Sequence, residues 1–338
     1  LGASAPSNSF IKKENLNLPE KSFPLRVMVC ETCWLVQTED FVNASEMFTN
    51  EYAYFSSYSS SFLNHTKEYV DKMVSKFSLD ENSSVLEVAS NDGYLLNFVK
   101  KLNIKCLGVE PTKSTANVAR SKGLEIIGDF FSTNLAKKIA KDKNTVDLAI
   151  ANNVLAHVPN INDFVKGFYE ILNPEGVATF ENPHLLELAN GKQFDTIYHE
   201  HFSYLSLTSV NEIFKNNGLT IFDVEKIPVH GGSLRYYAQK SDTGRRFISK
   251  KVNALLKEER DAGLTNLDFY RNFQKVAESI RDEFKNFLIE QKNNGKLIAG
   301  YGAAAKGNTL LNFCNISKAL LQFIVDKNPM KQGLYCPG

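Results

Sequence analysis

At 338 residues with 43% hydrophobic content, the chain is long enough for two or three globular domains with sizeable cores. Its 39 basic residues meet 38 acidic ones without a large basic block, which removes the electrostatic case for nucleic acid. No apolar run approaches the roughly 18 residues of a membrane span and no signal-peptide core opens the chain, so a cytoplasmic protein free of the membrane is expected.

The chain begins at Leu1 and stops at "YCPG", just past a turn, and both ends read as cuts through a longer protein. The cysteines Cys30, Cys33, Cys106, Cys314 and Cys336 are too sparse for a disulfide framework. Only Cys30 and Cys33 are close, in "VMVCETCWLVQ", which reads as a short strand carrying C-x-x-C. Such a pair alone fits zinc, redox chemistry or two small buried thiols. "NEYAYFSSYSSSFLNHTKEYVDKM" follows, aromatic and serine-rich, then helical.

From Ser84 the texture changes. "SVLEVAS", "IKCLGVE", "LEIIGDF", "VDLAIANN" and "GVATFENP" are apolar, β-branched runs, and helical spacing lies between them (Leu95, Leu96, Val99; "DFVKGFYEIL"). Strands alternating with helices predict a parallel α/β sheet covered on both faces. Ligands bind outside the carboxyl ends of such strands. There Gly93 permits close backbone approach, and Asn91 and Asp92 offer polar atoms near a helix start. Glu110, ending the second strand, can accept both ribose hydroxyls of an adenosine. Asp129 and Phe130, after the third, supply an acceptor for an exocyclic amine and a ring to stack on. One glycine rather than three weakens the case for a pyrophosphate, so S-adenosylmethionine fits better than a dinucleotide.

"YHEHFSYLSL" leaves three readings open: a metal site, a proton-transfer site, or a strand edge. In a strand, Tyr198, Glu200 and Phe202 would point one way and His199 and His201 the other. Metal is the weaker reading, since helical zinc enzymes space histidines at i and i+4. His199 reads as a satisfied core or surface residue, and His65 and His184 claim no more than packing or surface roles. After Tyr198 regularity fades until Phe273, Val276, Ile280, Phe284 and Leu288 mark an amphipathic helix. Two stretches suit an anion. "VHGGSLRYY" brings two glycines, Ser233 and Arg235, and "GYGAAAKGN" brings Gly302, Lys306 and Asn308 at a helix start, with Asp326 at near-dinucleotide spacing beyond.

The ordered stretches "CETCWLVQ", "YAYFSSYSSS", "EVASNDGYLL", "NNVLAHVPN", "YHEHFSYLSL", "HGGSLR" and "GYGAAAKGN" run across essentially all 338 residues. Through them the chain resembles the S-adenosylmethionine-dependent sugar C-methyltransferases, the nucleotide-linked ketosugar 3-C-methyltransferases of deoxysugar biosynthesis. The resemblance implies an α/β protein in three parts: a truncated zinc-type domain over 1–75, a class I methyltransferase (Rossmann-like) domain over 76–195, and a truncated Rossmann-like nucleotide-sugar domain over 196–338. It implies structural zinc on Cys30 and Cys33 with an earlier cysteine pair ahead of Leu1, so occupancy by these two alone is in question.

Methylating carbon needs a base for the C–H beside a ketone and donors for the enolate oxygen. By resemblance His201 is the base, Tyr198 lies beside the sugar, and Glu200 holds ligand or orients His201. His157 follows the fourth strand where the methyl is transferred, and Tyr52, slightly favoured over Tyr58, closes the pocket. Glu87 and Asn152 join the cofactor contacts, and His230 the substrate contacts. The expected partner is a nucleotide-diphosphate sugar, with a monomer slightly favoured. The rival expectations are a nicotinamide-dependent sugar oxidoreductase or epimerase, using "GYGAAAKGN" with Asp326, and a non-catalytic binder of S-adenosylmethionine.

Overall fold

In a computed structural model of the chain the described residues are 1–41 and 55–338. They form two compact units. One gathers Leu1–Val42, Leu185–Tyr204 and Glu259–Gly338, the other Asn43–His184 and Leu205–Glu258.

The second unit is built on a seven-stranded sheet. Its strands are β1 (Ser84–Val88), β2 (Lys105–Val109), β3 (Glu125–Ile127), β4 (Val146–Asn152), β5 (Leu172–Pro183), β6 (Leu219–Ile227) and β7 (Ser233–Lys240), in the order β3-β2-β1-β4-β5-β7-β6. β1 to β5 are parallel, while β7 lies antiparallel between β5 and β6. This is the class I S-adenosylmethionine methyltransferase arrangement, as expected. Helices α1 (Ser60–Phe77), α2 (Leu96–Lys101), α3 (Lys113–Ser121), α4 (Thr133–Lys143), α5 (Ile161–Ile171) and α6 (Leu207–Asn216) cover it. Val85, Leu86 and Val88 are all buried, as strands covered on both faces require. Helix starts follow polar side chains: Ser59, Ser132 and Asn160 accept from the first turns of α1, α4 and α5, and Ser206 forms a capping box with Ser209 on α6.

Helix α7 (Lys250–Asp261) precedes α8 (Leu267–Asn293), the amphipathic helix read from its spacing. In the first unit α8 brings Ala277, Phe273 and Ile280 to a core with Leu25, Val36, Leu186, Phe194, Ile197 and Tyr204. β8 (Ala299–Tyr301), α9 (Ala305–Phe313) and β9 (Phe323–Val325) then form one parallel β-α-β turn.

Three expectations change. "VMVCETCWLVQ" is a hairpin, Val27–Val29 against Val36–Thr38, because Cys30 to Trp34 turn the chain and Trp34 takes φ 59°. The boundary expected at 75/76 gives way, since α1 buries Tyr69, Val70 and Met73 in the second unit's core. The boundary at 195/196 gives way too: residues 185–204 belong to the first unit, and the missed β6–β7 hairpin completes the sheet of the second.

Candidate active site

The second unit gathers polar groups at the carboxyl edge of its sheet. After β1 the chain doubles back through Ala89, Asn91 and Gly93, all at positive φ. Gly93 is required there twice over: its φ is +75°, and a Cβ would lie 2.2 Å from Leu124 Cδ1. Glu110, 4% exposed at the end of β2, accepts the backbone N–H of Asn91 and of Thr112, each at 2.8 Å. Asn91 Oδ1 accepts the Ser56 N–H at 3.0 Å, and Asp92 accepts the Ser57 hydroxyl, so the turn Ser56–Tyr58 covers the loop. Asp129 accepts the N–H of Phe130 at 2.8 Å, and both are exposed beyond β3. Asn152 ends β4, and His157 is half-buried in the turn Leu155–His157 that follows.

Several polar atoms of this edge are buried without a partner among the described residues: Ser90 Oγ, Asp92 Oδ1, Asn152 Oδ1, and both side-chain polar atoms of Asn153. Orphaned groups of this kind are costly unless a ligand or water completes them. The residues therefore fit S-adenosylmethionine. Glu110 would hold the ribose, and the loop and β4 orphans would meet the amino-acid end. Glu87 is a correction: it lies 1% exposed inside β1, with Tyr94 and the Leu96 backbone as hydrogen-bonding neighbours, and underpins the loop. Burial pushes its carboxyl well above the usual range.

The first unit holds "YHEHF". Residues 198–202 are a turn rather than a strand, and only Ser203–Tyr204 pair with a strand, Val36–Thr38. The turn brings His201 Nε2 to 3.0 Å from the Tyr198 hydroxyl, while Nδ1 lies 2.8 Å from the Thr196 carbonyl. A carbonyl only accepts, so Nδ1 carries the proton and Nε2 accepts from Tyr198. The Thr196 carbonyl orients the ring. Glu200, 5% exposed, accepts from Asn8 Nδ2 at 2.6 Å, and burial raises its carboxyl against the pull of Asn8 and Lys331. His199 turns to the Pro24 carbonyl at 3.2 Å, in the packing role expected.

Helix α9 packs on the same stretch: Thr309 donates to the Ile197 carbonyl at 3.2 Å and Phe313 meets Phe194 at 5.3 Å. Its start has no side-chain cap, with Gly302 at φ +89° and Lys306 half-buried nearby. Asn308 is a correction, because it is 1% exposed and donates to the Ser7 carbonyl at 2.6 Å.

The anion clamp on β7 is a further correction. Arg235 is 4% exposed and pairs with buried Glu181 at 2.6 Å, and the Ser233 hydroxyl donates to the Val229 carbonyl at 2.9 Å. Neither is open to a phosphate. His230 is exposed at φ 51° in the hairpin turn. Tyr52 lies outside the described residues; Tyr58 is 72% exposed. Sequence reading missed Thr196, Asn8, Asn153 and the serine cover. None has a motif, since each acts through backbone position or a partner far along the chain.

Cys30 and Cys33 sit in the hairpin turn, and burial raises the Cys33 thiol. Two thiols are half of a closed zinc set, and among the described residues no group of three or more possible ligands exists. The described donors alone do not fit structural zinc.

A methyltransferase domain model matches residues 62–224, a C-methyltransferase C-terminal domain model residues 228–338, and a zinc binding domain model residues 1–48. The C-methyltransferase NovU of Streptomyces niveus is 34% identical over 319 residues, which is 94% of this chain and 76% of the relative. Among solved structures, a Pyrococcus horikoshii protein is 16% identical, covering 57% of this chain and 95% of its own, at TM-score 0.44. The magnesium protoporphyrin IX methyltransferase of Synechocystis, with S-adenosylhomocysteine bound, is 14% identical, covering 53% and 83%, at TM-score 0.41.

Proposed function

This chain belongs to the S-adenosylmethionine-dependent C-methyltransferases, and from that premise we propose that its acceptor is a nucleotide-diphosphate-linked ketosugar, methylated on a carbon beside the ketone. The observation that carries the reading is the Tyr198–His201 pair, whose tautomer is fixed by the Thr196 carbonyl. Such a pair is built to move a proton. The C–H bond of the acceptor breaks, its electron pair becomes the enolate, and the proton is taken up at His201, directly or through the Tyr198 oxygen. The phenolic O–H of Tyr198 then donates to the enolate oxygen. When bound, S-adenosylmethionine supplies an electrophilic methyl on a sulfonium, for which the enolate carbon is the nucleophile. His157 and Tyr52 complete the proposed catalytic set.

The start of α9, with Gly302 and Lys306, suits the diphosphate, and its packing on Ile197 supports binding in the same unit as the base. The test offers nucleotide-diphosphate ketosugars and labelled methyl donor, then follows solvent deuterium at the carbon beside the ketone with S-adenosylhomocysteine in place of the donor. Methyl transfer with deuterium wash-in is expected. Tight nicotinamide binding without methyl transfer would favour a sugar oxidoreductase or epimerase instead.

A further inference from the structure

His65 has no part in the reaction above, yet it is held like a working group. It is half-buried on α1, with Nε2 3.0 Å from Glu181 Oε2. Glu181 is 1% exposed in β5 and also takes Arg235 Nε at 2.6 Å. Burial pushes the Glu181 carboxyl up, but the His65 hydrogen bond and the Arg235 charge outweigh it and hold the group below its usual range. An ionised carboxylate only accepts, so His65 Nε2 carries the proton and Nδ1 presents a lone pair. Nδ1 has no hydrogen-bond partner among the described residues.

Phe62 joins the His65 ring to the cofactor loop. Phe62 stacks on His65 at 6.2 Å and on Tyr94, which follows Gly93, at 5.3 Å. Asn153, with its orphaned side chain, donates its backbone N–H to the Glu181 carbonyl at 2.7 Å. The charged and titratable neighbours pair among themselves: Arg235 with Glu181 and, at 3.2 Å, with Glu225, which Lys72 meets at 2.6 Å. Tyr69 lies under the Arg235 guanidinium, and the His230 ring is 6.0 Å from that of Phe62. A proton on His65 is therefore an added positive charge beside the site.

We propose that His65 belongs to the cofactor site and that a proton on its imidazole competes with the cationic methyl donor. S-adenosylmethionine carries a sulfonium and an ammonium, which a neutral imidazole accepts and an imidazolium repels. The inference rests on the cofactor alone, so failure of the ketosugar reading leaves it standing.

Calorimetry of S-adenosylmethionine and of S-adenosylhomocysteine, which lacks the sulfonium charge, from pH 8 to 5.5 tests it. S-adenosylmethionine affinity should fall by up to about tenfold per pH unit toward the acid end of this range, and S-adenosylhomocysteine affinity by less. His65→Asn should flatten the slope, while His199→Asn, which the first unit holds on the Pro24 carbonyl, keeps it. A slope that persists in His65→Asn, or is missing from the wild type, overturns the proposal. Should His65→Asn not fold, long-range proton–nitrogen spectra of the wild type decide. Saturating S-adenosylmethionine should lower the His65 titration midpoint, and an unmoved midpoint overturns the proposal.

Discussion

Tyr198 and His201 share one proton, and its ownership sets what each can do. His201→Asn keeps a polar group of similar reach but removes the proposed base. Methyl transfer to a ketosugar should fall by about 10²–10⁴-fold while S-adenosylhomocysteine affinity holds. A single-turnover rate close to wild type would move the base role to Tyr198 or to a water on Glu200. If Glu110 holds the ribose as proposed, Glu110→Ala should weaken S-adenosylhomocysteine binding by roughly 1–3 kcal/mol in calorimetry. At this scale the chemistry of a residue is legible in sequence and its availability is not. Arg235 reads as a phosphate clamp because guanidinium suits phosphate, but the partner that occupies it, Glu181, lies on another strand. His65 carries no motif either, and its meaning comes from the same buried carboxylate.

The elements divide by how their charges are spent. β1 to β5 are legible because both faces are apolar, and periodicity exposes that directly. β6 and β7 escape it because Asp223, Glu225, Lys226 and Arg235 interrupt the apolar pattern. In the folded unit Asp223 pairs with Lys76 and Glu225 with Lys72, both on α1. The charges that disguise the hairpin join α1 to it. Removing one partner inside this network is costly, so Arg235→Met, which leaves buried Glu181 with His65 alone, should lower stability by about 3–5 kcal/mol in denaturant unfolding. At the cofactor loop, Gly93→Ala forces a Cβ toward Leu124 at positive φ, and should cost about 1–3 kcal/mol and loosen S-adenosylhomocysteine binding.

For the whole molecule, buried carboxyls pull stability in two directions with pH. Glu181, Asp223 and Glu225 are held below their usual range, so their contribution is present above the unfolded value near about 4 and is lost as pH falls through the folded one. Glu87 and Glu200 are raised by burial, so their contribution is present in acid and is lost as pH climbs through the folded value. Glu87→Gln should therefore raise the denaturant midpoint at pH 8 and leave it nearly unchanged at pH 4. A midpoint shifted equally at both would refute the assignment. Fold class was legible from strand–helix alternation, whereas the division into units was not. A reading along the chain assumes that neighbours in sequence share a core, and residues 185–204 break that assumption.

That interruption orders events in time as well as in space. The sheet unit has received all of its strands by Lys240 and its last residue at Glu258, while the other unit waits for a segment that starts at Glu259. A chain emerging from the ribosome can thus complete the cofactor-binding unit first, with "YHEHF" already outside but lacking the helix that packs on it. During that interval the nascent protein would hold a methyl donor without the finished site proposed to take the acceptor's proton. Ribosome-stalled chains long enough to clear Glu258 from the exit tunnel, with α8 still inside it, should then retain S-adenosylhomocysteine while remaining inert toward any sugar.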